Sequence, residues 1–228
     1  MSLQHPAPLD PQDRISAEAF VRANTRLLRP PLVPEIALHL AEESLAIWQK
    51  TEEDLGVMNV PPPYWAFAWA GGQALARFLL DNRVWAAGKR VVDLGSGSGL
   101  SAIAAAKAGA RSVLAADIDA MALAAVALNA AANDVAIETT RDDLLAYLPA
   151  PADVLLVGDL FYERALADRV LAYIEAAAAK GMPALVGDPE RNYFPTCRFA
   201  ALAEYQVPVT RDLEDAEIKR TAVWRYVG

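Results

Sequence analysis

The apolar positions of the chain change character near Gly88. Beyond it, short apolar runs alternate with longer segments whose apolar residues recur at helical spacing. The runs predict strands at Val91 to Leu94, Ser112 to Ala116, Ala136 to Thr139, Val154 to Val157, Ala184 to Val186, Gln206 to Val209 and Ala222 to Tyr226. The segments between predict helices at Ser101 to Ala108, Ala120 to Asn133 and Glu163 to Ala179, rich in Ala, the strongest helix former. Strands joined by helices of this length run parallel, with crossover helices on both faces of the sheet. Only "TRDLEDAEIKR" separates the last two strands, which suits a hairpin better than a crossover.

Ahead of Gly88, "PPPYWAFAWAGGQALARFLLDN" runs from prolines through an aromatic cluster (Tyr64, Trp65, Phe67, Trp69) to Gly71-Gly72, which open a helix with Leu75, Phe78 and Leu79 on its apolar face. Further upstream the pattern is helical from Ser16, a plausible N-cap, to Leu28, and prolines 30, 31 and 34 close the segment. Alternation of Ile36, Leu38 and Leu40 predicts a short strand, and residues 1 to about 13 are expected to be disordered. The organisation is thus an N-terminal helical and short-strand extension, 1–60, and a domain, 61–228. That domain is an α/β, Rossmann-like fold: a seven-stranded, mostly parallel sheet with a terminal antiparallel hairpin strand and helices on both faces.

With 228 residues, 54% of them hydrophobic, the chain can bury one sizeable core. Its formal charge of -8 argues against general attraction to nucleic acid and permits a basic patch on a protein partner. The single cysteine, Cys197, cannot form an internal disulfide and is expected to be a buried structural thiol. The proline-rich start has no charged-then-apolar leader, and no run supplies the roughly 18 uninterrupted apolar residues of a membrane span. A cytoplasmic protein with no membrane association is expected.

In an open parallel sheet, ligands bind beyond the carboxyl ends of the strands. After the first strand comes "DLGSGSGL", whose glycines let the backbone turn tightly and approach a ligand. A dinucleotide fold wants Gly-x-Gly-x-x-Gly and a phosphate on the following helix. Here the glycines are Gly95, Gly97 and Gly99, and Asp93 would repel a phosphate but welcome a cationic ligand. After the second strand, Asp117 is placed to accept from both hydroxyls of a ribose. After the third, Asp142 or Asp143 could accept from an adenine amino group while Leu144 packs on the ring. After the fourth comes "GDLFYE", an acid followed by two aromatics. Each acid alone is as readily a turn former or helix cap, and each aromatic alone is core. Four acids, at 93, 117, 143 and 159, at the same end of successive strands point to one site.

Together these residues resemble the class I S-adenosylmethionine-dependent methyltransferases, over about residues 60 to 227. Within that superfamily "PPPYWAFAWAGGQALARFLLDN", "DLGSGSGLSAIAAAKAGA", "ADIDAMALAAVALNAAAN", "GDLFYE", "LVGDPER" and "TAVWRY" are similar to the electron transfer flavoprotein β-subunit lysine methyltransferases, bacterial members included. The ribosomal protein L11 methyltransferases share the loop and the acids but not the aromatic-Gly-Gly segment or Asp-x-Phe-Tyr. The resemblance implies S-adenosyl-L-methionine as cofactor, no metal, and a protein substrate, the electron transfer flavoprotein β subunit. It implies that Asp93, Gly95, Ser96, Gly97 and Gly99 hold the methionine part, Asp117 with Ile118 the ribose, and Asp143 with Leu144 the adenine, Asp142 being a rival. Trp69, Gly71 and Gly72 would lie near the cofactor. Asp159, Phe161, Tyr162 and Trp65 would border the substrate amine, Asp159 also touching the cofactor. Ala70 stands where the animal relatives are expected to carry proline. Substrate choice would lie in the first 60 residues and in loops such as "GDPERNYFPTC".

Overall fold

The computed structural model describes residues 10, 13–42, 46–47, 49–50, 62–209 and 217–228. The chain begins with helix α1 (Arg14–Asn24), then β1 (Arg26–Leu28) and β2 (Leu38–Leu40), which pair antiparallel. Helix α2 (Ala70–Asp81) leads into the alternating part: β3 (Arg90–Leu94), α3 (Leu100–Lys107), β4 (Ser112–Ala116), α4 (Ala120–Ala132), β5 (Glu138–Thr140), β6 (Val154–Gly158), α5 (Arg164–Ala179), β7 (Ala184–Asp188), β8 (Phe199–Pro208) and β9 (Ile218–Tyr226). Strands β3 to β9 form one seven-stranded sheet in the order β5-β4-β3-β6-β7-β9-β8. Only β9 runs against its neighbours, antiparallel to both β7 and β8.

The chain steps outward from β3 to β4 to β5, then returns to lay β6 on the other side of β3. That reversal opens a crevice at the carboxyl ends of β3 and β6. Their register, Leu94 beside Val157, brings the turn after β3 level with the residues that follow β6.

Burial of both faces explains why the parallel strands are apolar runs rather than alternating ones. Along β6, Val154 and Leu156 join a core with Leu75, Leu79 and Ile103 from α2 and α3, while Leu155 and Val157 join Val170 and Ile174 from α5 on the other face. Each such side chain stabilises the fold by about 1.5–3 kcal/mol. A third cluster packs Phe20 and Val21 of α1 and Trp65 and Phe67 against Met121, Ala125 and Leu128 of α4. Two buried amides tie β2 to α4: Asn129 Oδ1 accepts from His39 N at 2.7 Å, and Asn133 bonds both N (3.0 Å) and O (2.6 Å) of Ala37.

Several local expectations are corrected. Helix α1 is capped by Asp13, whose carboxylate accepts from Ile15 N and Ser16 N, rather than by Ser16. It ends at Asn24 because the chain turns extended to pair β1 with β2. Strand β8 starts at Phe199, not Gln206: "FAALAEY" has weak strand propensity, and pairing with β9 overrides it. β5 begins two residues later than the apolar pattern suggested. Cys197 is exposed in the turn before β8, not buried. The disorder expected of residues 1–9 and 11–12, the division near residue 60 and residues 210–216 of the hairpin connection lie outside the described residues. Among the described residues no helix is long and apolar enough to cross a membrane.

Candidate active site

The turn after β3 demands glycine. Gly95, Gly97 and Gly99 have φ of 63°, 53° and 79°, in the left-handed region that side chains disfavour. A Cβ built on Gly97 would meet nothing nearer than 4.0 Å, so its backbone borders open space. Asp93 is turned inward: its Oδ2 accepts from Ser96 Oγ at 2.8 Å and from Ala102 N at 3.1 Å, tying the turn to the start of α3. Burial pushes its carboxyl up to about 7, against those two hydrogen bonds and with help from the charge of Asp117. Asn129 of α4 donates to Ser98 O at 2.8 Å, so the same amide that holds β2 also holds the turn.

Asp117, after β4, accepts from Gly97 N at 2.9 Å and from Asp119 N at 3.0 Å, and Asp119 caps α4 through Met121 N. Burial raises both carboxyls. Ile118, between them in the chain, is 66% exposed. Asp143, after β5, caps the single turn Leu144–Ala146 through Leu145 N and pairs with Arg169 at 2.6 Å. Asp142 is exposed and accepts from Thr140 Oγ1. Leu144 packs half-buried on the α5-side core. Carboxylate oxygens keep lone pairs for a further donor. Buried Asp93 and the partly buried Asp117 and Asp119, around an open glycine turn, suit a ligand carrying cationic and hydroxyl groups and repel a phosphate. The residues present therefore fit S-adenosylmethionine.

Asp159 follows β6 in a left-handed conformation, φ 59°, which Asp tolerates better than most residues. It is buried, and both oxygens are engaged: Oδ2 accepts from Gly72 N at 2.9 Å, and Oδ1 from Arg191 Nε at 3.0 Å and Nη2 at 2.6 Å. The Arg191 guanidinium lies 5.7 Å from the Trp69 ring, whose Nε1 donates to Tyr64 O. Arg191 N in turn donates to Asp188 Oδ1 at 2.7 Å. Asp188 is fully buried at the end of β7, with no hydrogen-bond partner for Oδ2 among the described residues. Burial first, then the charge of Asp159, push its carboxyl up to about 7.

Not every expected residue faces this crevice. Phe161 is wholly enclosed, its ring 5.1 Å from Phe194 and 6.3 Å from Phe199, and Trp65 lies inside the α1–α4 cluster. The surface rings are Tyr162 and Tyr64, each 40% exposed and 5.4 Å apart, with Trp69 5.9 Å from Tyr64. Chain alternation after Asp159 sends Phe161 inward and Tyr162 outward. Gly71 serves packing rather than access, because a Cβ there would lie 2.1 Å from Gly187 O and 2.6 Å from Asp159 Oδ2. Gly72 has room, with Leu100 Cδ2 at 3.8 Å. Tyr64, Arg191 and Asn129 escaped the sequence reading as site residues. The signals were present: "GDPER" follows the fifth parallel strand as the other acids follow theirs, and Asn129 and Asn133 stand i,i+4 on an otherwise apolar helix.

Residues 74–176 match the family described as "Ribosomal protein L11 methyltransferase (PrmA)". The electron transfer flavoprotein beta subunit lysine methyltransferase of Danio rerio is 37% identical over 214 residues, 91% of this chain and 82% of that protein. The ribosomal protein L11 methyltransferase of Thermus thermophilus is 35% identical over 191 residues, 80% of this chain and 70% of that protein. Among solved structures, magnesium protoporphyrin IX methyltransferase from Synechocystis PCC 6803, with bound SAM, shares the fold at a TM-score of 0.52 and 19% identity, over 69% of this chain and 80% of that one.

Proposed function

The chain belongs to the electron transfer flavoprotein β-subunit lysine methyltransferase family, and from that membership we propose that it transfers methyl groups from S-adenosylmethionine to lysines of an electron transfer flavoprotein β subunit. The observation that carries this reading is the crevice itself: a cation-favouring glycine turn stands level with Asp159, beside the exposed Tyr64 and Tyr162. The match to the Danio rerio protein, over 91% of this chain against 80% for the Thermus thermophilus one, favours this substrate over the ribosomal one.

In this reading Asp93 and the turn Gly95–Gly99, including Ser96, hold the amino-acid end of the cofactor. Asp117 takes the ribose hydroxyls with Ile118 alongside, and Asp143 with Leu144 borders the adenine. Trp69, Gly72 and Asp159 close the side toward the acceptor. The cofactor supplies a methyl group on a sulfonium, ready for in-line displacement by an uncharged amine. The protein's share is placement and the state of that amine. With a reference pKa near 10.4, only about 1 lysine in 2,500 is neutral at pH 7. Tyr162 is no base for it, since burial, followed by the charges of Tyr64, Glu163 and Asp117, pushes its phenol up to about 12. The faces of Tyr64 and Tyr162 instead suit an aliphatic lysine stem and, after transfer, a methylated ammonium.

The test is incubation with methyl-labelled cofactor, purified electron transfer flavoprotein and, separately, ribosomes. Label on lysines of the β subunit is the expected result. Label confined to ribosomal protein would overturn the proposed substrate.

A further inference from the structure

We propose that Arg191 is a positioning residue that charge-matches Asp159, so that the acceptor lysine enters the crevice without an unpaired carboxylate to hold it as ammonium; this rests on the methyl-transfer reading above. A lone carboxylate at that place would favour the charged amine, the form that cannot attack. Here Nε and Nη2 of Arg191 both bond Asp159 Oδ1, at 3.0 and 2.6 Å, and Gly72 N holds Oδ2. The two side chains are only 17% and 9% exposed, so solvent screens the pair little. Arginine does not deprotonate in the working range, so the match does not lapse as pH rises.

The arrangement is held from several sides. Trp69 lies against the guanidinium and Asp188 Oδ1 fixes the Arg191 amide. Glu190, immediately before Arg191, has φ 61°, and Asp159 has φ 59°. Left-handed backbone is uncommon at non-glycine residues and gathers at functional sites. The titratable groups near the pair include Asp188 at the end of β7, whose carboxyl feels Asp159 and Arg191, and Glu190, next to Arg191 in the chain; the neighbouring Tyr162 phenol, after β6, feels Tyr64, Glu163 and Asp117, and the first turn of α2 carries no acid. The charge of Arg191 is also felt at Tyr162, on the wall assigned to the amine.

A merely structural arginine would lower the rate equally at every pH, whereas a charge-matching one sets where the rate rises. The rising limb of kcat against pH reports groups in the enzyme–substrate complex. Arg191→Gln keeps a donor for Asp159 without the charge. It should move that limb to higher pH by about one unit, giving a roughly ten-fold loss well below the wild-type midpoint that shrinks as pH rises through the displaced one. Arg191→Lys keeps the charge and should leave the limb near the wild-type position. Adding Asp159→Asn to Arg191→Gln removes the unmatched carboxylate and should return the limb, which also serves if the single variant melts out. A pH-independent loss in Arg191→Gln, or a limb still displaced in the double variant, overturns the proposal. The wild-type acceptor assay separates the two readings. Label on a different protein ends the flavoprotein assignment and moves the profiles to that acceptor, and label on no lysine at all overturns both.

Discussion

Asn129 gives the sharpest test of how the glycine turn proposed for the cofactor is held. Its side chain is fully buried and makes one bond in each direction: Nδ2 to Ser98 O in the glycine turn, at 2.8 Å, and Oδ1 from His39 N in β2, at 2.7 Å. Asn129→Ala removes both and adds no partner. A buried carbonyl left without a donor costs about 1–3 kcal/mol, and the lost bond to the half-buried His39 amide about 1 kcal/mol more. The expected destabilisation is therefore about 2–4 kcal/mol. For a chain of this size each kcal/mol moves Tm by about 2–4 °C, so the melting point should fall by roughly 5 to 15 °C. Cofactor affinity should fall as well, because Ser98 lies between Gly97 and Gly99 and the turn loses its anchor. Asn129→Asp distinguishes the two arms: it keeps an acceptor for His39 N but puts an oxygen against Ser98 O. Its loss of affinity should match or exceed that of alanine. Differential scanning fluorimetry with calorimetric titration of S-adenosylmethionine reads both quantities. If Asn129→Ala melts within about 2 °C of wild type and binds cofactor equally well, the amide is not the link described here.

Gly71→Ala should destabilise by about 3 kcal/mol or more, since its Cβ meets the Gly187 carbonyl and the Asp159 carboxylate, whereas Gly72→Ala should leave Tm nearly unchanged; equal melting points would refute the packing role of Gly71. Asp93 and Asp188 are acids whose carboxyls burial raises to about 7, so their stabilising contribution is complete below the unfolded value near 3.8 and is lost as pH rises toward 7. Asp93→Asn should flatten part of that decline in Tm between pH 5 and 8, the share of Asp188 remaining; an unchanged slope would rule Asp93 out as its source. A cationic ligand favours ionised Asp93, so cofactor binding near pH 7 should release protons, seen as a binding enthalpy that varies with buffer ionisation. Between the two candidates at the adenine, Asp143→Ala should raise the cofactor Kd more than Asp142→Ala, because Asp143 also caps the turn that carries Leu144; the reverse order would transfer the role.

The sheet was legible because burial on both faces writes most of the parallel strands as apolar runs, and because Ala-rich helical segments separate several of them. The edges were not, because β8 takes its extended form from nine paired positions along β9 rather than from its own Ala- and Glu-containing sequence. In the site, the acids were legible by the same rule that places ligands at strand ends. Their partners were not: Arg191 is 32 residues from Asp159, and Gly72 is 87 residues away on the other side. Nor does the sequence say which member of an adjacent aromatic pair turns inward. Phe161 and Tyr162 have equal claim until the left-handed turn at Asp159 fixes the alternation, and the phenol's hydroxyl makes Tyr162 the cheaper of the two to leave at the surface.

The same limit bears on charge. Asp93 and Asp159 are the same residue type, one near the carboxyl end of β3 and the other just after β6, and each is buried. Yet among the described residues the donors that hold Asp93 are neutral, Ser96 Oγ and Ala102 N, while Asp159 is bound twice by a guanidinium. A ligand that brings its own positive charge improves the first site and is not needed at the second. The proposed cofactor is a cation and the attacking lysine must be neutral, so the division of charge between the two acids matches the two partners the reaction has to seat.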